Sequence, residues 1–194
     1  PGGGIFQHPQ GTFPINRDAL TNPQFVEDSR NSVNLFDLAS ALSPDAVVPI
    51  KSLFVYNANP VIAAANQLKL LENLCRKDLF TVVSEIFQTD TCDYADILLP
   101  ATSQMEQKDL MYSWGHYNIQ FNQKAIEPLG EAVSNTELFR RLAEVFLFGD
   151  DVFTRDDDEI MSKAMLWDHK NLDGITLQSL TEQGFARLNV GDAK

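Results

Sequence analysis

The chain has 194 residues, 44% of them hydrophobic, with 27 acidic residues against 15 basic ones and a formal net charge of −12. That length suits one domain with a substantial core, and acidity with scattered Lys and Arg argues against nucleic-acid binding, which needs clustered cations. No run approaches the roughly 18 uninterrupted apolar residues of a membrane helix, and no charged-then-apolar start resembles a signal peptide, so no membrane insertion is expected.

The chain opens on Pro1 and a run of glycines rather than on methionine, and it reads as a piece of a longer polypeptide. Residues 1–32 are rich in Gly, Pro, Asn and Gln with isolated Phe6, Phe13 and Phe25, the pattern of an irregular arm lying over another surface. A short helix follows around Val33 to Leu42, with Leu35, Leu38, Ala39 and Leu42 on one face and Ser43-Pro44 as its stop. Leu53 to Tyr56 is apolar throughout and rich in strand formers, which predicts a strand covered on both faces. Asn59 as N-cap and Pro60 at the first helical position predict a helix from about Val61 to Arg76 that buries Leu68, Leu71, Leu74 and Cys75.

Phe80 to Ile86 is the next strand, completing a βαβ unit with parallel strands. A third strand, Asp96 to Leu99, comes after so short a link that only a single helical turn near Thr91 to Tyr94 fits. Tyr117 to Asn122 alternates and is a candidate fourth strand at an edge. Ser134-Asn135-Thr136-Glu137 reads as a capping box opening a helix with Leu138, Leu142 and Val145 or Phe146 as its stripe, ended by Gly149. Beyond an acidic stretch, Glu159 to Leu166 and Thr176 to Gln183 are helical patterns, the second stopped by Gly184. The expected fold is α/β, with a doubly wound, mainly parallel sheet in a Rossmann-like three-layer arrangement. Residues 1–194 read as a single domain: an N-terminal arm and short helix (1–46), a dinucleotide-binding core (47–149) and a small C-terminal helical appendage (150–194).

In open parallel sheets, ligands sit outside the carboxyl ends of the strands. Three apolar runs here end in polar residues, which brings Asn57 and Asn59, Glu85 and Thr89, and Thr102 to one edge. The Asn57-Ala58-Asn59-Pro60 turn, from strand to helix, offers N–H groups to a phosphate, and equally serves as an ordinary capping turn. A carboxylate at Glu85 can accept two parallel hydrogen bonds from the N1–H and exocyclic amine of guanine, a pair adenine does not offer, with the Thr89 hydroxyl beside it. The plainer alternative is Glu85 capping nearby backbone N–H groups. Asp96 and Pro100 read as structural, as do His8, His116 and His169, and Asp156 to Glu159 reads as a solvated helix start rather than a calcium loop. Cys75 and Cys92 lack partners at metal spacing, so they read as reduced thiols, buried or partly buried, and no metal site is expected. No Gly-x-Gly-x-x-Gly, Lys-containing phosphate loop, Gly-x-Ser-x-Gly or His-Glu-x-x-His occurs, so no catalytic residues are assigned.

These segments carry a resemblance. Phe-Val-Tyr-Asn-Ala-Asn-Pro (54–60), Asp-Leu-Phe-Thr-Val-Val-Ser-Glu-Ile-Phe-Gln-Thr-Asp-Thr (78–91), Tyr-Ala-Asp-Ile-Leu-Leu-Pro-Ala-Thr (94–102), Glu106 and Gly-Glu-Ala-Val-Ser-Asn-Thr-Glu-Leu-Phe-Arg-Arg-Leu-Ala (130–143) resemble the molybdopterin oxidoreductases of the dimethyl sulfoxide reductase superfamily. The Gly-rich arm and Trp-Asp-His (167–169) extend the likeness over nearly the whole chain. The resemblance implies one of two related α/β domains that hold molybdopterin guanine dinucleotide with molybdenum or tungsten. Asn57, Ala58, Asn59 and Pro60 would then face the phosphates or ribose, and Glu85, where many relatives have Asp, would bind the guanine with Thr89.

A 4Fe-4S centre, the segment supplying the metal's protein ligand and a closing β-barrel would belong to missing regions of a parent that performs two-electron redox chemistry on a small substrate. The piece alone is then expected to be inactive and to hold no cofactor tightly, its partners being the remaining domains of the parent and the guanine dinucleotide. A cytoplasmic parent is expected, or a periplasmic one where an export signal precedes this piece. The alternative from another class is a stand-alone α/β interaction domain that has lost cofactor binding. A small guanine-nucleotide-binding protein is disfavoured by the missing phosphate loop.

Overall fold

The computed structural model of the chain describes residues 12–26, 32–112 and 115–191. In chain order they form α1 (Arg17–Thr21), α2 (Leu38–Ala41), β1 (Ser52–Tyr56), α3 (Pro60–Ala63), α4 (Gln67–Leu74), β2 (Phe80–Glu85), β3 (Ile97–Pro100), β4 (Asp109–Tyr112), β5 (Asn118–Asn122), α5 (Asn135–Val145), α6 (Asp157–Lys163), α7 (Leu177–Gln183) and β6 (Phe185–Arg187). The fold is mixed α/β, with a parallel sheet in the order β1-β2-β3 and an antiparallel sheet in the order β4-β5-β6. Phe6 and His8 lie outside the described residues.

The chain divides into two compact units, Glu27–Thr102 with Leu129–Val133, and Pro1–Val26 with Ser103–Pro128 and Ser134–Lys194. This division crosses the boundaries at 46 and 149 read from the sequence. The amino-terminal residues, β4, β5, α5 and everything after it fall in one unit, and the parallel sheet falls in the other.

In the parallel-sheet unit the register sets Tyr56 beside Ser84 and Glu85 beside Pro100, so the three strands end on a common edge. The β1 to β2 connection is not the single helix expected from Val61 to Arg76. Ala64 turns extended and Asn66 adopts φ 57, a conformation asparagine tolerates better than most residues, which separates α3 from α4. The interruption resets the helical phase: Leu70 and Leu74 are buried, whereas Leu68 is 77% exposed and Cys75 is exposed, against expectation. Between β2 and β3 the expected helical turn is present as a 3-10 helix, Asp90–Tyr94. Asp96 ties it down, accepting from the Thr81 N–H (2.7 Å) while its own N–H donates to the Thr81 carbonyl (2.8 Å).

Ala39, Leu42, Val61, Leu70, Leu74 and Leu79 form the main core of this unit, with Val55, Val83 and Cys92 as a smaller cluster. The Arg76 guanidinium locks its rim, donating to the Leu42 carbonyl (2.7 Å) and to Asp78 (2.8 Å), which also pairs with Lys51. Those hydrogen bonds hold the Asp78 carboxyl well below the usual carboxylate range. Burial on both faces of β1 is not observed: Val55 is buried, while Phe54 and its neighbours Phe80 and Ile97 are exposed. Val55 and Val83 pack with Cys92, flanked by Leu53 and Ala95.

The expected fourth strand does not extend the parallel sheet. Five residues separate β4 from β5, far too few for a parallel crossover, so β5 pairs antiparallel with β4 and β6. The carboxyl-terminal region is accordingly more than helical, since β6 completes that sheet. Its core gathers Phe13, Ile119, Phe121, Met161, Leu172 and Leu180. The amino-terminal region is also more regular than an arm: Asn16 caps α1 by accepting from the Ala19 N–H (3.2 Å), and the Phe13 ring packs 4.9 Å from Tyr112. Asp156 and Glu159 form a complete capping box on α6, in keeping with a helix start, and Gly184 ends α7 at φ 81.

Helix α5 departs from expectation at both ends. Ser134 accepts from the Glu137 N–H (3.2 Å), but the Glu137 carboxylate turns to Arg140 (3.0 Å) and Arg141 (2.8 Å). At the other end the left-handed residue is Leu147 (φ 58), ahead of the expected stop at Gly149. The Leu147 and Phe148 N–H groups satisfy the carbonyls of Glu144 (3.1 Å) and Ala143 (2.9 Å), the paired bonds of a Schellman end. A side chain in this conformation costs about 1–2 kcal/mol, so Leu147→Gly is expected to stabilise the fold by about 1 kcal/mol, raising the calorimetric midpoint by roughly 2–4 °C.

Asp109, at the start of β4, is half-buried, and burial pushes its carboxyl above the ordinary value, with Asp157 nearby adding to the effect. A raised folded-state pKa means that the unfolded chain ionises first, so stability falls as pH rises from the unfolded value of about 3.9 through the folded one. Asp109→Asn keeps an oxygen for the Leu110 N–H (2.8 Å) and removes the charge. Urea unfolding should show the variant gaining on the wild type between about pH 3.5 and pH 7. A constant difference across that range would contradict the assignment.

Candidate functional site

The carboxyl edge of the β1-β2-β3 sheet gathers the residues singled out in the sequence. After β1, Asn57 turns with φ 49 and donates its N–H to the Ser84 carbonyl of β2 (3.3 Å). Asn57 and Ala58 are exposed, Asn59 is half-buried and Pro60 opens α3 as expected. Asn59 does not cap α3 with its side chain. It reaches across to the β2–β3 connection, donating from Nδ2 to Asp90 (3.2 Å) and accepting at Oδ1 from the Thr91 hydroxyl (2.7 Å).

Thr91 itself accepts from the Val61 N–H (3.2 Å), so a residue thirty positions away satisfies the first turn of α3. The Asn57 N–H, one of the donors expected to face a phosphate, and the Val61 N–H are therefore both engaged within the protein. Asp90 and Thr91 are the residues that sequence reasoning missed. The only signal available was their place in a Thr-Asp-Thr run (89–91) just after a strand destined for the same edge.

Glu85 closes β2 beside a cleft of about 270 Å³, whose walls include Phe87, Gln88, Cys92, Leu99 and Pro100. One carboxylate oxygen accepts from the adjacent Ile86 N–H (2.8 Å), so the capping role weighed for Glu85 is present. Phe87 stands largely exposed at the cleft and supplies a flat apolar surface. Thr89 begins the 3-10 turn, its hydroxyl 3.5 Å from the Cys92 sulfur, which lines the same cleft. Thr102 follows β3 but is buried, its N–H on the Val133 carbonyl (3.1 Å), and it is not among the cleft-lining residues. The structure thus joins Asn59 to Asp90 and Thr91 by hydrogen bonds and places Glu85 on an adjacent cleft, with Thr102 behind the edge.

Chemically, this cleft suits a planar, hydrogen-bond-donating ligand better than an anion. None of the cleft-lining residues is cationic, while a carboxylate and an aromatic ring are both present. Among the described residues no group of three His, Cys, Asp or Glu side chains could hold a metal ion. His116 and His169 each accept a backbone N–H at Nδ1, from Asn118 and Asn171 at 3.1 Å, and serve local turns. Among the same residues no helix is long and apolar enough to cross a membrane.

Comparison with known proteins identifies relatives of the chain. Residues 5–145 match the family model described as Molybdopterin oxidoreductase. The chain is 40% identical over 189 residues to "Probable oxidoreductase YoaE" of Bacillus subtilis, covering 96% of this chain and 28% of that protein. It is 32% identical over 162 residues to trimethylamine-N-oxide reductase 1 of Escherichia coli, covering 80% of this chain and 17% of the relative. Among solved structures, acetylene hydratase from Pelobacter acetylenicus superposes with a TM-score of 0.63 at 24% identity, over 82% of this chain and 21% of that one, a likeness of fold.

Proposed function

The chain belongs to the molybdopterin oxidoreductase family, and from that premise we propose that it grips the guanine end of a molybdopterin guanine dinucleotide. The residues at the sheet edge fit such a group. The Glu85 carboxylate, with one oxygen on the Ile86 N–H, retains acceptor capacity for the guanine N1–H and 2-amino group, and the exposed Phe87 ring offers the base an apolar face. Thr89 supports the base or its ribose. The Asn57-Ala58-Asn59-Pro60 turn, braced by Asp90 and Thr91, faces the ribose or phosphates, and Thr102 backs the edge from its buried position. The wider architecture proposed is a Rossmann-like layer completed by other parts of the polypeptide.

When bound, the cofactor supplies two-electron redox chemistry at its molybdenum or tungsten ion. The residues of this chain orient and retain it, and none is assigned a role at the reacting atoms. The chain spans 28% of the length of its Bacillus subtilis relative. Activity on a small substrate, any iron–sulfur centre and the metal's protein ligand accordingly belong to the proposed parent, and residues 1–194 alone are proposed to be inactive and to bind guanine nucleotides weakly.

The observation that carries this reading is the shared edge: Asn59, bonded to Asp90 and Thr91, and Glu85 on its cleft all lie at the carboxyl ends of consecutive parallel strands. Mild acid hydrolysis of the purified parent-length protein is expected to release GMP. Release of a pterin without a nucleotide, or with a cytidine nucleotide, would contradict the guanine assignment.

A further inference from the structure

Asp90 stands on the sheet edge in an exposed position, and its neighbours fix how it is held. The Thr91 hydroxyl accepts the Val61 N–H (3.2 Å), so its own proton goes to the Asn59 Oδ1 (2.7 Å). That assignment turns the Asn59 Nδ2 toward the Asp90 Oδ2, to which it donates (3.2 Å). One carboxylate oxygen is thereby pinned between the β1–α3 turn and the β2–β3 connection, within one compact unit. Among the described residues nothing donates to the Asp90 Oδ1, and no Lys, Arg or His pairs with the carboxylate. Asp78, at the amino-terminal edge of the same sheet, is met by both Arg76 and Lys51, whereas Asp90 is met only by an amide.

A carboxylate so placed selects hydrogen-bond donors and opposes anions. The turn beside it is equally poor ground for a phosphate: the Asn57 and Val61 N–H groups are spent inside the protein, Pro60 has none, and α3 is only four residues long. What fits is a pair of neighbouring hydroxyls, because both carboxylate oxygens keep acceptor capacity after the Asn59 amide is counted. A ribose carries such a pair as its 2′,3′ cis-diol, and a carboxylate takes ribose hydroxyls in other dinucleotide-binding α/β folds. Resting on the guanine dinucleotide reading above, we propose that Asp90 binds the ribose hydroxyls of the guanosine, so that the Asn57–Pro60 turn meets the sugar and the phosphates lie away from this carboxylate. Asn59 and Thr91 act through Asp90 as positioning residues. The edge then selects a ribonucleotide and rejects a phosphate on the same hydroxyls.

The test uses the parent-length protein prepared free of cofactor and titrated calorimetrically with GMP, its 2′,3′-dideoxy counterpart and AMP. Wild type is expected to bind GMP about tenfold tighter or more than dideoxy-GMP, the effect of a hydrogen bond to a charged acceptor. Asp90→Ala should bring the two nucleotides to within about twofold of each other at this site, by weakening GMP alone. Asp90→Asn keeps an oxygen for the Asn59 amide while dropping the charge, and should retain only part of the preference. A residue that merely braces the turn would weaken both nucleotides alike in Asp90→Ala, and that result would overturn the proposal, as would equal binding of the two by wild type. The guanine reading is decided separately, by the preference for GMP over AMP and its loss in Glu85→Ala. That preference without any dependence on the sugar would leave guanine recognition standing and remove the role of Asp90. A sugar preference that vanishes in Asp90→Ala, without discrimination between GMP and AMP, would keep Asp90 and overturn the guanine assignment.

Discussion

Thr91→Val is expected to destabilise the parallel-sheet unit by about 2–4 kcal/mol in urea unfolding. The substitution conserves volume and β-branching, so neither a cavity nor a change in propensity accounts for the loss. What disappears is a hydroxyl with no exposed surface that donates to Asn59 (2.7 Å) and accepts from the buried Val61 N–H (3.2 Å). A buried donor left without its acceptor costs about 1–3 kcal/mol, and the lost bond to Asn59 adds about 1 kcal/mol more. Thr91→Ser keeps both hydrogen bonds and loses one buried methyl, so its cost should stay near 1 kcal/mol. Equal losses for Val and Ser would show that packing, rather than the cross-connection, holds the edge together.

In the cofactor-loaded parent-length protein, Glu85→Ala is expected to weaken cofactor retention by about 1.5–3 kcal/mol, roughly 10- to 150-fold. Glu85→Gln separates the two roles this residue can play. Glutamine keeps an oxygen for the Ile86 N–H, as the carboxylate has now (2.8 Å), but its amide NH2 opposes the donors of guanine where a carboxylate would accept both. A pure capping residue would leave cofactor content unchanged in Glu85→Gln and lower stability in Glu85→Ala. The base-binding role predicts cofactor loss in both variants, with the stability of the cofactor-free chain changed by no more than about 0.5 kcal/mol in Glu85→Gln.

The strands of the parallel sheet and the turn between β2 and β3 were legible because short apolar runs bounded by polar residues have few other solutions. Parallel pairing then sets the common edge on which Asn59 and Glu85 stand. The break between α3 and α4 was hidden because Ala63, Ala64 and Ala65 are favourable helix residues, and nothing local foretells that Asn66 turns left-handed. Strand β5 shows why alternation identifies a strand without identifying its partner: the five-residue link to β4, a distance rather than a pattern, sent it to a second sheet.

Asn59 illustrates a local rule overtaken by a long-range one. Its sequence context is that of an N-cap, yet partners 31 and 32 residues away claim its side chain, and Thr91 takes over the capping. Leu147 was passed over for the nearby Gly149, since glycine is the ordinary occupant of a left-handed helix end.

An experimental structure of the cofactor-loaded parent-length protein bears most directly on the role of the sheet edge. The guanine should lie against Phe87 with its N1–H and 2-amino group about 3 Å from the Glu85 carboxylate, and with its ribose or phosphates over Asn57 to Pro60. A guanine bound elsewhere, with Glu85 still accepting only the Ile86 N–H, would contradict it.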